Sequence, residues 1–134
     1  MSKETGSINE KKKAIDLFHL CSPLFLAMGD TVRQQLLLDI ADCSEKGCNV
    51  AELTGKTRLS RSAISYHLKI LKDSGLITAR KKGTQVFYFL HLDENFVIIR
   101  ELVDTLQRLI AVKTRQLDGS GKPGLKNQGE QQIP

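Results

Sequence analysis

The sequence predicts a mainly α fold of the α+β class, in which helices flank a single β-hairpin. Three observations predict it. From Val50 to Leu90 the chain reads as a short helix, a turn, a second helix and a two-stranded hairpin. On either side of that stretch, from Glu10 to Asp42 and from Asp93 to Leu117, apolar residues recur at helical spacing. Only Leu76–Arg80 and Gln85–His91 are β-like, and they flank the turn signal Lys81-Lys82-Gly83-Thr84.

The totals bound what such a fold can do. A chain of 134 residues with 40% hydrophobic content makes one domain with a modest core. The net charge is +5, and its placement says more than its size. Between Thr54 and Gln85 stand eight cations (Lys56, Arg58, Arg61, Lys69, Lys72, Arg80, Lys81 and Lys82) against Asp73 alone. Positive charge gathered on one structural unit favours a polyanionic partner. No apolar run approaches the ~18 residues of a membrane span, and no signal-peptide pattern is present. Three cysteines without such a signal point to free thiols in a reducing, cytoplasmic setting.

Taken in order, Met1 to Asn9 is polar and expected to be disordered. From Glu10 a helix carries Ala14, Leu17, Phe18 and Cys21 on one stripe. Ser22-Pro23 reads as a cap followed by proline at the first helical position, so a new short helix is expected there, ending at Gly29. Asp30 caps a helix from Thr31 to about Asp42 with the stripe Val32, Leu36, Ile40 and Cys43. Ser44 to Gly47 is a loop. Asn49-Val50-Ala51-Glu52 forms a capping box that opens the next helix. Ser60 caps the following one, and Gly75 supplies the left-handed residue that closes it. The helix from Asp93 to Leu117 carries Ile98, Ile99, Leu102, Val103, Leu106, Leu109 and Ile110 within one side. That stripe exceeds what one small domain covers, which predicts half of a dimer interface shared with the N-terminal helices. Residues 118–134, rich in Gly, Lys, Gln and Pro, read as a disordered tail, leaving 10–117 as the folded domain.

Placed at about 100° per residue, the helix after Ser60 divides cleanly. Ala63, Ile64, His67, Leu68, Ile70 and Leu71 fall on one side. Arg61, Ser62, Ser65, Tyr66, Lys69 and Lys72 fall on the other, cationic and hydroxyl-rich with no carboxylate. Those are the groups that contact phosphates and base edges. The hairpin's two lysines, beside such a helix, are placed to lie along adjacent phosphates.

Leu24-Phe25-Leu26-Ala27-Met28-Gly29-Asp30-Thr31-Val32-Arg33 resembles the opening motif of the ArsR/SmtB family of bacterial winged-helix repressors. Ser60 to Lys69 is similar to that family's recognition helix, and Gly75-Leu76-Ile77 with Arg80 to Phe89 to its hairpin. The likeness spans residues 14 to 110 and departs at Val32, where the family commonly has proline. It implies a winged helix-turn-helix fold and a homodimer built from the first and last helices. It further implies an inverted-repeat operator in double-stranded DNA and release by an inducer. Two-fold symmetry would set the recognition helices in successive major grooves. Carried over, Ser62, Ser65, Tyr66 and Lys69 read or position on the groove, while Arg61, Lys81 and Lys82 hold phosphates. His67 lies among Ile64, Leu68 and Leu71 and reads as packed.

The family's two usual metal sites lack their ligands here. Asn49-Val50-Ala51-Glu52-Leu53 stands where one needs cysteines, and no histidine follows His91 for the other. Neither metal nor cofactor is expected. Cys21 and Cys43 continue apolar stripes and read as core. Cys48 precedes a helix cap with Lys46 nearby, which favours thiolate. Four residues of loop separate Cys43 from Cys48, so the two sulfurs could meet. A regulatory disulfide or polysulfide is one expectation. A thiophilic metalloid, with Cys21 of either subunit as third ligand, is another. The alternatives are a regulator answering to a different ligand or protein partner, or a non-specific architectural DNA binder. An enzyme is not expected: the chain has no Gly-rich phosphate loop and no nucleophile elbow. A protein-docking module would need an acidic or apolar outward face on the helix after Ser60, contrary to the residues there.

Overall fold

The computed structural model describes residues 2–117. In chain order these form α1 (Ser2–Met28), α2 (Thr31–Ala41), α3 (Val50–Gly55), α4 (Arg61–Asp73), β1 (Ile77–Lys82), β2 (Gln85–Leu90) and α5 (Asp93–Leu117). The expected tail, 118–134, lies outside the described residues.

Each central helix starts where a side chain satisfies its first amides. Asp30 accepts from the amides of Val32 and Arg33 at 2.8 and 3.2 Å. Asn49 and Glu52 close a reciprocal capping box on α3. Ser60 accepts from the Ala63 amide at 3.1 Å to open α4. That helix ends in a Schellman turn: Gly75, at φ +90°, donates to the Lys72 carbonyl and Leu76 donates to that of Leu71. The turn aims Leu76 and Ile77 straight into the core. There they join Leu36, Ile40, Leu53, Ile64, Leu68 and Leu71, side chains drawn from α2, α3, α4 and β1. Truncating any one of these leucines or isoleucines to alanine would cost about 2–5 kcal/mol.

Four expectations need correction. First, α1 is one helix through Pro23, with no new start. Ser22 caps nothing; its hydroxyl donates to the Phe18 carbonyl one turn back, at 2.7 Å. Proline costs the helix a hydrogen bond. Cys21 before it and Leu24 after it are both buried on the same side, which holds the register across the break. Second, residues 2–9 extend α1 where disorder is expected, since a helix already nucleated adds residues cheaply.

Third, Lys81 and Lys82 are the last two residues of β1, and Gly83-Thr84 alone makes the turn. Gly83 takes the positive φ that a two-residue hairpin loop demands, +64°. Fourth, the stripe on α5 is covered in part by the chain's own first helix. Leu102 is buried against Leu17 and Cys21, and Ile98, Ile99 and Leu106 pack around them. Val103 and Ile110, two members of that stripe, stay exposed, as does Val97 beside it. Among the described residues no single helix is long and apolar enough to cross a membrane.

Candidate nucleic-acid interface

Helix α4 is pinned from behind and open in front. Ile64, Leu68 and Leu71 face the core, whereas Arg61, Ser62, Ser65, Tyr66, Lys69 and Lys72 are all exposed. The structure therefore places the five α4 residues expected to contact DNA, Arg61, Ser62, Ser65, Tyr66 and Lys69, in the open with Lys72. Tyr66 stands 61% exposed, with the His67 ring edge-on beside it at 5.2 Å. Ser62 and Ser60 hydroxyls lie 3.2 Å apart at the helix start.

The face is not wholly free of carboxylate. Lys69 donates to Asp73 at 2.7 Å, one turn on. That hydrogen bond holds the Asp73 carboxyl below the usual carboxylate range. Both side chains are exposed, so the pair is weak and screened by salt, and a phosphate can displace it.

The hairpin supplies the second cationic group. Lys81 and Lys82 are exposed on the outer end of β1, and no carboxylate among the described residues lies within salt-bridge distance of either. Arg80, by contrast, is held over the Phe89 ring at 4.9 Å.

His67 is half-buried, as its place on the helix suggests, but its role is more specific than packing. Its Nδ1 accepts from Arg33 at 3.2 Å. The same guanidinium donates to the carbonyls of Ala27, at 2.7 Å, and Leu26, at 3.2 Å. One side chain on α2 thus closes the C-terminus of α1 and ties it to α4. Sequence reasoning assigned Arg33 no part. Its signal was the motif it terminates, three residues after the Asp30 cap. Asn95 was missed likewise: its amide donates to the carbonyls of Gly75 and His91, fixing the entry to α5 at the end of α4.

The three cysteines do not converge. Cys21 is buried with Leu17 and Leu102, and burial pushes its thiol up, away from reactivity. Cys43 and Cys48 are joined in a disulfide, with Cα atoms 5.8 Å apart. Cys48 is 0% exposed, and Cys43 is the half-exposed member of the pair. Cys48 exchanges backbone hydrogen bonds with Tyr88 and so is drawn inward. A three-thiol ligand set within one subunit is not formed.

A helix–turn–helix whose second helix shows a cationic, hydroxylated face beside a basic hairpin defines a winged helix-turn-helix DNA-binding protein. The family model for bacterial regulatory proteins of the arsR family matches residues 31–79. An uncharacterised HTH-type transcriptional regulator of Methanocaldococcus jannaschii is 33% identical over 92 residues, 69% of this chain and 100% of that one. The arsenical resistance operon repressor of Bacillus subtilis is 37% identical over 79 residues, 58% of this chain and 73% of that one. The solved structure of HlyU from Vibrio cholerae, a protein named as a transcriptional activator, superposes with a TM-score of 0.52 at 34% identity, over 63% of this chain and 88% of that one. The chain belongs to the arsR family, and it is a DNA-binding transcriptional regulator, not an enzyme.

Proposed function

We propose that the protein is a homodimeric repressor of an inverted-repeat operator, with α4 of each subunit in the major groove and the hairpin on flanking phosphates. Ser62, Ser65, Tyr66 and Lys69 face the bases, and Arg61, Lys81 and Lys82 hold the backbone. The observation that carries this reading is the exposed polar face of α4, backed by three buried core residues that fix its rotation. Repression is favoured by the likeness to the Bacillus subtilis repressor.

Pairing of subunits is favoured by a second apolar stripe on α1, turned away from the core. Ile15 is 55% and Phe18 43% exposed, and Ile8 and Phe25 continue the row at three- and four-residue spacings or their sums. Release by a change at Cys43 and Cys48 is favoured by their being bonded within reach of the hairpin. Cys21, walled off by Leu17 and Leu102, takes no part.

Separate roles for groove and phosphate contacts give the test. Lys82→Ala should weaken operator and random duplex alike and lower the salt slope by about one phosphate contact. Ser65→Ala and Tyr66→Ala should chiefly reduce preference for the operator, by about 1–3 kcal/mol per lost base contact. Equal losses on both DNAs from all three substitutions would defeat the assignment and leave an architectural binder.

A further inference from the structure

The hydrogen bonds from the loop between α2 and α3 run to the hairpin, not to the recognition helix, with which Cys48 shares only apolar packing. After Cys43 the chain turns back on itself: the Gly47 amide donates to the Ser44 carbonyl at 2.9 Å, and the Lys46 amide to the Ser44 hydroxyl at 3.2 Å. Cys48 then lies alongside β2 as a one-residue third strand. Its amide donates to the Tyr88 carbonyl at 3.0 Å, and the Tyr88 amide donates back at 2.7 Å. Gly47 has φ +82°, and a Cβ there would stand 2.8 Å from both the Phe89 ring and the Tyr88 carbonyl. Next in line, the Asn49 side chain donates to Gln85 at 3.3 Å, on the residue just past the hairpin turn. Among the described residues no hydrogen bond runs from this loop to α4.

We propose that the Cys43–Cys48 pair controls the hairpin: making or breaking this bond changes how β2 is held, and so how Lys81 and Lys82 meet phosphate, while base reading by α4 is left alone. The proposal rests on the thiol control proposed above and names its route. Closure of the ring fixes the backbone of Cys48, the partner strand of Tyr88, at a Cα separation of 5.8 Å that disulfides favour. In the dithiol form that edge keeps its turn, its two backbone hydrogen bonds and the Asn49–Gln85 contact but loses the covalent tie, so the hairpin is looser.

Cys43, the more accessible sulfur, is the point of entry for a low-molecular-weight disulfide. As thiolate it attacks one sulfur of the reagent, expels one thiolate and leaves a mixed disulfide. Cys48, once deprotonated, attacks the Cys43 sulfur and expels the second thiolate. The two protons from the protein end on the two released thiols, and two electrons pass from protein to reagent.

The test uses the full chain equilibrated in oxidised or in reduced glutathione, freed of it, and titrated with a random-sequence duplex at fixed salt. Because phosphate contacts are common to all sequences, no operator is needed. The disulfide form should bind roughly threefold or more tightly than the dithiol form, and in Lys81→Ala/Lys82→Ala that difference should disappear, as expected when both changes act through one element. Cys43→Ser, which cannot close the bond, should show dithiol affinity in both buffers. Exchange of the Tyr88 amide should be faster in the dithiol form. A redox difference of undiminished size in the double lysine variant, or unchanged Tyr88 exchange alongside such a difference, overturns the hairpin route while thiol control stands. Equal binding by both forms of the unaltered chain overturns thiol control and the route with it.

Discussion

Among the described residues Arg33 ties three elements together through one side chain. Its guanidinium reaches two carbonyls at the end of α1 and the His67 ring on α4, using its planar fork in three directions at once. Without it the Ala27 carbonyl would lose this partner at the end of α1, and that of Leu26 would keep the Gly29 amide at 3.3 Å. Arg33→Ala should therefore destabilise the fold by about 2 kcal/mol, the range for hydrogen bonds to a charged group. Arg33→Lys keeps the charge but not the fork, and should recover less than half of that loss. Urea unfolding midpoints measure both, and full recovery by lysine would show that charge alone matters there. Since His67 sits edge-on to Tyr66 at 5.2 Å, the alanine variant should also weaken operator preference beyond its effect on stability.

At the level of elements, the local signals were legible and the long-range ones were not. Asp30, Asn49 with Glu52, Ser60 and Gly75 all stand where the sequence predicts a helix to start or stop, because a cap acts within four residues of itself. The polar face of α4 was legible for the same reason: helical periodicity is local. Continuity of α1 through Pro23 was not, since it depends on what Cys21 and Leu24 pack against. Nor was the bridge from Cys48 to Tyr88, a pairing across forty residues. One cap also gives a pH dependence. The amides of Arg33 and Val32, the former foremost, hold Asp30's carboxyl below the usual carboxylate range. A group whose folded value is depressed contributes its stability above its unfolded pKa and loses it as pH falls through the folded one. Asparagine caps without titrating. From about pH 5 downward the unaltered chain should lose stability faster than Asp30→Asn, and parallel acid-unfolding curves would assign Asp30 no such part.

For the whole molecule the decisive surface is the outer side of α1. The inner side, Ala14, Leu17, Cys21, Leu24 and Ala27, is buried against the chain's own helices. The outer side still carries Ile8, Ile15, Phe18 and Phe25, with Leu26 75% exposed at its end, and Val103 and Ile110 are the exposed members of the α5 stripe. Of the long stripe on α5 that drew attention in the sequence, α1 covers Leu102 and its neighbours while Val103 and Ile110 stay exposed, so the expected contact between subunits takes in the outer side of α1 together with α5. Exposed apolar rows of this length seldom stay open to water, and a two-fold axis would bury both copies at once. Ile15→Glu/Phe18→Glu places charge in that row without touching the core, so helix content should be unchanged. Sedimentation should report a monomer. Operator affinity should fall about 100-fold or more, because each recognition helix then binds without the effective concentration its partner confers. A variant that remains dimeric, or a monomer that keeps full operator affinity, would remove α1 as the pairing surface and with it the two-fold reading of DNA.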